Sequence, residues 1–566
     1  MKYHHDKKFL LYGFLLTLLF LFGNGNVHLF DWDEINFAEC AREMCMSGNF
    51  FYPQIGFQPF YEKPPLFFWL QAMCMFIIGI SEAAARLPNA VAGIVTWILL
   101  YYRSKRMGYT SESMGWPILY MTGFLPVMYF KSGIIDPWFN LFIFLSLLKG
   151  YDFNKEAKYT QLFLSAFFLS LAVMTKGPVA WLLTIVPLSI FFFLHKNSFL
   201  HVVRNVGFLI FISLIIPGFY FIILFISGNR EFLPEFIKYQ IRLFSTEDSG
   251  HGGPFWFHIP VLLLGCFPSS FFAIRAMFFM KEQPDNTNRS FSILMLLALC
   301  WTILVFSVVK TKIIHYSSFC YYPLSWLAFQ GWLSVSNKSF FSKTEKFFWI
   351  WMNILIFIVL ISALMLSKVV HGLKNYIQDD CVLQNMQFLG KDSMIFLTVV
   401  ITFILLLAVI MAMDFMKKRI TYLTLIFYPL IFFLVMIFTI PRIEILSQRG
   451  FIDLIKSFSD EKFYLETVNF KSYAYYFYGK RMPVHYSPEI INQLNSMEGT
   501  YASFSHRYAT WLLSGETGKS AILFYKGNVS DDPSEVFRNT RVIQSRFGYD
   551  LVLKFSGKNT GMTKSQ

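Results

Sequence analysis

The sequence predicts an all-α polytopic membrane protein of about thirteen crossings, followed by a small extracytoplasmic α/β domain. Three observations carry this. The chain is 55% hydrophobic and only 15% charged, with a mean hydropathy of +0.48, a balance foreign to soluble domains of 566 residues. Its apolar residues gather into repeated runs of roughly membrane length. Lys and Arg recur in every second loop, as orientation in a bilayer demands. The net charge of +14 sits in short loops between apolar runs, so it speaks for topology and not for a nucleic-acid partner. Seven cysteines without paired spacing give neither a zinc site nor a disulfide framework. No repeat of solenoid length is apparent.

The short basic start, residues 1–8, precedes an apolar run over 9–22 with no small-residue cleavage site. It reads as an uncleaved first helix that starts in the cytoplasm. The loop after it is then outside. The run 66–80 is short for a crossing and is assigned to a helix on the outer surface. Crossings follow at 87–102, 114–130, 137–148, 162–174, 179–194, 206–226, 259–279, 291–309, 316–335, 347–366, 394–413 and 422–440. Each loop this alternation puts inside carries Lys or Arg, from Arg103 and Lys105 to Lys417 and Lys418. Residues 1–440 thus form the membrane domain, with a polar outer loop over 24–86. Residues 441–566 have ordinary polarity. A helical pattern over 442–458 leads there to strand-like runs beginning at Lys462, Ala521 and Tyr549, which read as a soluble outer domain.

The outer loop 31–65 is the polar centre of an apolar chain. DWDEINFAECAREM holds the acids Asp31, Asp33, Glu34, Glu39 and Glu43, and QPFYEKPP places Glu62 and Lys63 before two prolines. Outer loops also carry Lys63, Lys131, Lys176, Arg242, Lys310 and Lys312, where the charge rule disfavours cations. A set of cations at that depth suits an anionic ligand such as a lipid phosphate. The alternative for each is a lysine that merely snorkels to the interface.

DEINFAECAREM from Asp33, then YEKPP from Tyr61, resembles the opening signature of GT-C membrane glycosyltransferases. The nearest branch holds the lipid A aminoarabinose transferases and the protein O-mannosyltransferases. IIDP at Ile134, MTKGP at Met174, HGGPFWF at His251 and FSVVKTKIIHY at Phe306 follow in family order. The resemblance covers roughly the first 330 residues. It implies an inverting transferase that moves a sugar from a polyprenyl (undecaprenyl) phosphate carrier to a lipid A, glycan or protein acceptor. The enzyme would sit in the bacterial inner membrane, with its active site on the periplasmic side.

The resemblance places Asp33 as the catalytic carboxylate. It would be general base for a hydroxyl acceptor and an orienting group for an ionised phosphate. The alternative is a cap on the helix predicted over 34–44. Glu34, Lys63, Asp136, Lys310, Lys312, His315 and Tyr316 would bind substrate, with Lys63 on the carrier phosphate. Glu62 and His251 would bind a divalent metal, as the resemblance implies for related enzymes. Asn36-Phe37 stands where the aminoarabinose branch usually has Arg-Tyr, so a cation expected near the phosphate is missing. Two further readings are a transporter or flippase for a carrier-linked glycan and an O-antigen ligase or polymerase. The first calls for charge at mid-membrane, and the predicted crossings are nearly free of it. The second places its bases in one large outer loop, whereas here they are spread over several.

Overall fold

The structure is a computed structural model that describes residues 2–195, 198–246, 252–279, 286–337, 342–390, 394–416, 422–458, 464–468, 470–481, 520–526, 540–547 and 549–554. Most of these residues are helical. Among the described residues six helices are long and apolar enough to cross a membrane, or seven if one bent pair counts as a single span. Their outward faces carry large apolar side chains such as Phe199, Leu200, Phe211, Phe219 and Ile226. That much exposed hydrocarbon marks a chain solvated by lipid, and the protein is a multi-pass membrane protein.

The first helix, α1 (Lys2–Leu21), leads to α2 (Asp33–Ser47) in the outer loop. Acids Asp33 and Glu34 occupy the first turn of α2, where the helix dipole favours them. Gly48 ends it in the left-handed region at φ 70°, with its N–H on Met44 O at 3.0 Å. A short hairpin of β1 (Gln54–Ile55) and β2 (Gln58–Pro59) follows, then α3 (Leu66–Ile78), the predicted surface helix. The next helix, α4 (Glu82–Arg106), is a full crossing, capped by Ser81 at one end and ending on Arg103, Lys105 and Arg106.

Several predicted crossings are interrupted. The run 114–130 divides into α5 (Gly115–Met121) and α6 (Phe124–Phe130). The helices α7 (Asp136–Glu156), α8 (Tyr159–Lys176) and α9 (Val179–Leu194) are continuous. A near-continuous span holds α10 (Phe199–Ser213) and α11 (Ile215–Ile226), before the amphipathic α12 (Phe232–Ser245). The pair α13 (His258–Gly265) and α14 (Ser269–Phe279) bends by 109°, at a break that contains Pro268. Then come α15 (Asn286–Val308), a 3₁₀ segment Ile314–Cys320, and α16 (Tyr321–Asn337). Gly331 of α16 lies against the Phe272 carbonyl of α14, an approach that leaves no room for a Cβ.

Beyond α17 (Lys343–Leu364), the short α18 (Leu366–Gly372) and α19 (Asp380–Asn385) precede α20 (Met394–Met416) and α21 (Tyr422–Glu444). The helix predicted to open a separate domain at 442 is a direct continuation of α21. It runs through a π turn, Ile445–Arg449, into α22 (Gly450–Ser457). The strand β3 (Tyr464–Thr467), the short α23 (Ala474–Phe477) and the strands β4 (Ala521–Lys526), β5 (Thr540–Arg546) and β6 (Tyr549–Lys554) are the remaining elements among the described residues. Strand order is β3-β4-β6-β5, with β3 parallel to β4 and the other pairs antiparallel. Three strands match the predicted runs; β5 is additional.

This sheet region is fastened to the loop before α2. Ser472 Oγ and Tyr473 N–H donate to the Asp31 carboxylate, Tyr478 Oη accepts from Leu29 N at 2.6 Å, and Arg42 donates to Arg481 O. His28 Nδ1 lies 2.5 Å from Glu444 Oε1. The C-terminal region is therefore a wall of the outer loop.

Candidate functional site

A cavity of about 780 Å³ opens where the outer segments meet. Its walls come from 22–37, Glu62-Lys63, 128–136, Lys176, 239–243, 306–316, 436–443 and Lys471. All of these are loops or helix ends that the charge alternation assigns to the outer face. The pairs Arg103–Asp152 and Arg275–Glu345 join segments assigned to the opposite face.

Asp33 is the first residue of α2 and is not its cap; Trp32, at φ 74°, precedes it. The Asp33 side chain is 42% exposed to the cavity, and its Oδ2 lies 3.5 Å from His315 Nε2. His315 sits in the 3₁₀ segment, edge-on to Tyr316. Burial pulls the imidazole below its ordinary pKa, with Asp136 and Asp33 acting the other way. A half-exposed carboxylate beside a largely neutral imidazole can take up a proton.

Glu34, the adjacent acid, is placed differently. It forms a bidentate pair with Arg86, at 3.0 Å and 2.8 Å. Its oxygens also accept from Phe30 N at 2.9 Å and Gly133 N at 2.5 Å. Burial opposes the charge, and the Arg86 guanidinium overrides it and holds the carboxyl below its usual range. Arg86 in turn donates to Asn24 O, Val27 O and His28 O. Glu34 touches the cavity only as part of this clamp on the loop, so its side chain has little capacity left for substrate.

Lys63 points into the cavity. Its ammonium lies 4.8 Å from the Tyr239 ring centroid and has no ion-pair partner among the described residues. Burial lowers its pKa, with Glu62 and Asp33 acting against that. Glu62 Oε2 accepts from Tyr239 Oη at 2.7 Å. Asp136 is buried at the start of α7, with Oδ1 2.6 Å from Lys176 Nζ and Oδ2 without a partner among the described residues. Tyr316 lines the cavity, and Lys176 lies over its ring at 5.2 Å.

The two remaining predicted cations are elsewhere. Lys312 is buried, and its Nζ donates to Phe306 O, Ser307 O and Val309 O at 2.9, 2.6 and 2.5 Å. It satisfies the orphan carbonyls that end α15 and faces away from the cavity. Lys310 is exposed and outside the cavity lining. His251 lies outside the described residues. Among the described residues no three His, Cys, Asp or Glu gather as metal ligands. Glu62 alone, already bonded to Tyr239, does not define such a site.

Other cavity groups were missed as site residues. Lys131 lines the wall but is engaged by Leu19 O, Phe22 O and Asn24 Oδ1 at the end of α1. Burial, and then Arg86, lower its pKa to about 8. Tyr239 and Arg242 of α12 and Lys471 of the C-terminal region complete the polar rim. Lys176 and Arg242 carried a signal as bases on the disfavoured side of the membrane. Lys471, far along the chain in a polar region, carried none. The polar floor adjoins an apolar wall of Phe22, Met128, Met436, Ile437 and Ile440. An amphiphile with an anionic head and a hydrocarbon tail fits such a cavity.

The class is thus a multi-pass membrane protein with a cavity that joins charged groups to an apolar wall. The fold matches the crystal structure of ArnT from Cupriavidus metallidurans with a TM-score of 0.73 at 15% identity, over 97% of this chain and 98% of that one. It matches ArnT bound to undecaprenyl phosphate with a TM-score of 0.71 at 14% identity, over 99% of each chain. Residues 62–221 match the family described as dolichyl-phosphate-mannose-protein mannosyltransferase. The undecaprenyl phosphate-alpha-4-amino-4-deoxy-L-arabinose arabinosyl transferase of Shewanella sediminis is 24% identical over 56% of this chain and 58% of its own length. One of Proteus mirabilis is 25% identical over the same shares. The chain spans less than two thirds of the length of these relatives. In fold it is similar to ArnT, and in sequence to that mannosyltransferase family and to these arabinosyl transferases.

Proposed function

We propose that the protein transfers a sugar from a polyprenyl phosphate, of the undecaprenyl kind, to an acceptor at the outer, periplasmic face of the bacterial inner membrane. The thirteen-pass topology belongs to this reading. The observation that carries it is the meeting, in one cavity, of the half-exposed Asp33 carboxylate with the Lys63 ammonium, which has no ion-pair partner among the described residues. The apolar wall beside them accommodates an isoprenoid tail. ArnT, the structural neighbour, has been solved with undecaprenyl phosphate, which supports a carrier of that class.

The reaction is a single displacement with inversion. An acceptor oxygen bonds to the anomeric carbon as the bond from that carbon to the carrier phosphate breaks, and the phosphate keeps the electron pair. Lys63, with Lys176 close by, holds the charge that grows on the phosphate. If the acceptor is a hydroxyl, Asp33 takes its proton; if it is an ionised phosphate, Asp33 orients it. Glu34 and Arg86 keep the start of α2 in place. A divalent ion on Glu62 and His251 remains part of the proposal, and no step is routed through it.

The test is reconstitution of the purified protein with undecaprenyl-phosphate-linked sugars, alongside lipid mass spectrometry of a deletion strain. Accumulation of a carrier-linked sugar together with loss of one glycan is the expected outcome. An unchanged lipid profile, with no turnover in vitro, would rule the reading out.

A further inference from the structure

Asn36 stands one turn along α2 from Asp33 and lines the same cavity. It is 4% exposed, and its Oδ1 is buried with no hydrogen-bond partner among the described residues. Nearby amides are used in part, since the Asn89 Oδ1 is likewise without a partner among the described residues. Asn89 donates to Ser132 O and Ile134 O, both at 2.6 Å, and Asn24 Oδ1 accepts from Lys131. A buried amide left unpaired costs the free protein stability. Asn36 lines the cavity, so a rotation of the amide about its soft terminal torsion lets a ligand group there supply the missing bond.

We propose that Asn36 is a specificity-determining residue that hydrogen-bonds a neutral polar group, a hydroxyl or an amide, on the sugar of the carrier lipid. This rests on the function proposed above. An amide carries no charge and offers both a donor and an acceptor, which matches a hydroxyl or acylamino group better than a phosphate. Lys63, which has no ion-pair partner among the described residues, is available for the phosphate. Side chains three apart on a helix have Cβ atoms roughly 5–6 Å apart, about the breadth of one sugar ring. With the anomeric carbon at Asp33, Asn36 reads a substituent across the same ring. A site that hydrogen-bonds a substrate group rejects analogues that lack it.

The experiment uses the full chain in nanodiscs. The probes are bare undecaprenyl phosphate and the same carrier bearing a hexose, a 2-acetamido hexose or a 4-amino pentose. Asn36→Leu should leave the affinity for bare carrier unchanged within about twofold and weaken the best sugar-loaded carrier roughly tenfold or more. The ligand-free thermal midpoint should hold or rise, because the lost amide oxygen had no partner. Asn36→Ala should show the same split in affinity. Equal losses for bare and loaded carrier would put Asn36 at the phosphate, and undiminished binding of the loaded carrier would remove it from the sugar site. Either result overturns the inference and leaves the proposed function standing. Failure of the wild-type protein to bind any carrier would overturn both.

Discussion

Asp33 and Glu34 are neighbours in sequence with opposite surroundings, and exchanging each separates chemistry from scaffolding. Glu34→Ala removes a buried carboxylate that holds Arg86 bidentately and accepts from Phe30 N and Gly133 N. Taking one partner from a buried pair leaves an uncompensated charge and costs about 3–5 kcal/mol. Net stabilities of about 5–15 kcal/mol make that a large fraction. Asp33 is 42% exposed and among the described residues pairs only with His315, at 3.5 Å, so Asp33→Asn should cost no more than about 1 kcal/mol. The assay is thermal unfolding of both variants in detergent, followed by carrier binding and sugar transfer at a temperature where both are folded. Asp33→Asn should unfold like wild type, bind carrier and fail to transfer to a hydroxyl acceptor. Glu34→Ala should unfold well below wild type. The sign of the pH effect is fixed by the depressed carboxyl pKa of Glu34 in the fold. The pair's contribution is complete above about pH 4.3 and is lost as the pH falls below that. Equal destabilisation by the two substitutions, or normal transfer by Asp33→Asn, would refute the division of roles.

Lys63→Met should weaken carrier binding without lowering the thermal midpoint. Lys312→Met should do the reverse, since three carbonyls lose their donor at about 1–3 kcal/mol; a common effect of the two on affinity would put both lysines on the ligand. His315 is held neutral by burial, against the pull of Asp136 and Asp33, so acid inactivation should begin below about pH 6.5, where its protonation ties up Asp33. A pH–rate profile of His315→Gln that overlays the wild type would exclude this. Burial, and then the Glu39 carboxylate, raise the Glu43 carboxyl well above its usual range, so the fold holds a proton there at increasing cost as the pH rises above about 4.3. Glu43→Gln should therefore be at least as stable as wild type at pH 7, with the difference shrinking toward pH 4, and a lower midpoint at pH 7 would refute it.

Which loops share a face was legible in the sequence, because the bilayer imposes one rule along the whole chain. Each cavity segment comes from a loop or helix end assigned to the outer face. The crossings were less legible as helices. The run 114–130 is broken between Met121 and Phe124, and 259–279 is bent by 109°, because Gly and Pro inside an apolar run leave its hydropathy intact while interrupting the helix. At 440/441, where the composition changes, the backbone is helical. Pro441 sits inside a helix that continues to Ser457, and polarity changes there without any break in the backbone.

The lysines show where sequence reasoning stops. Lys63, Lys131, Lys176 and Lys312 are all bases near the outer ends of apolar runs, and spacing makes them equivalent. In the fold, Lys131 closes the end of α1 and Lys312 the end of α15. Lys176 answers a buried aspartate, and Lys63 meets only an aromatic ring among the described residues. The difference lies in whether a helix terminus or a carboxylate stands within reach, which depends on the path of other segments. An unsatisfied helix end captures a lysine as readily as a phosphate would, so a cation on the disfavoured side of the membrane marks a need for negative charge without saying whether chain or ligand supplies it. Of these four lysines, Lys63 is the one for which the described residues supply no such partner, which is what the proposed role on a carrier phosphate requires of it.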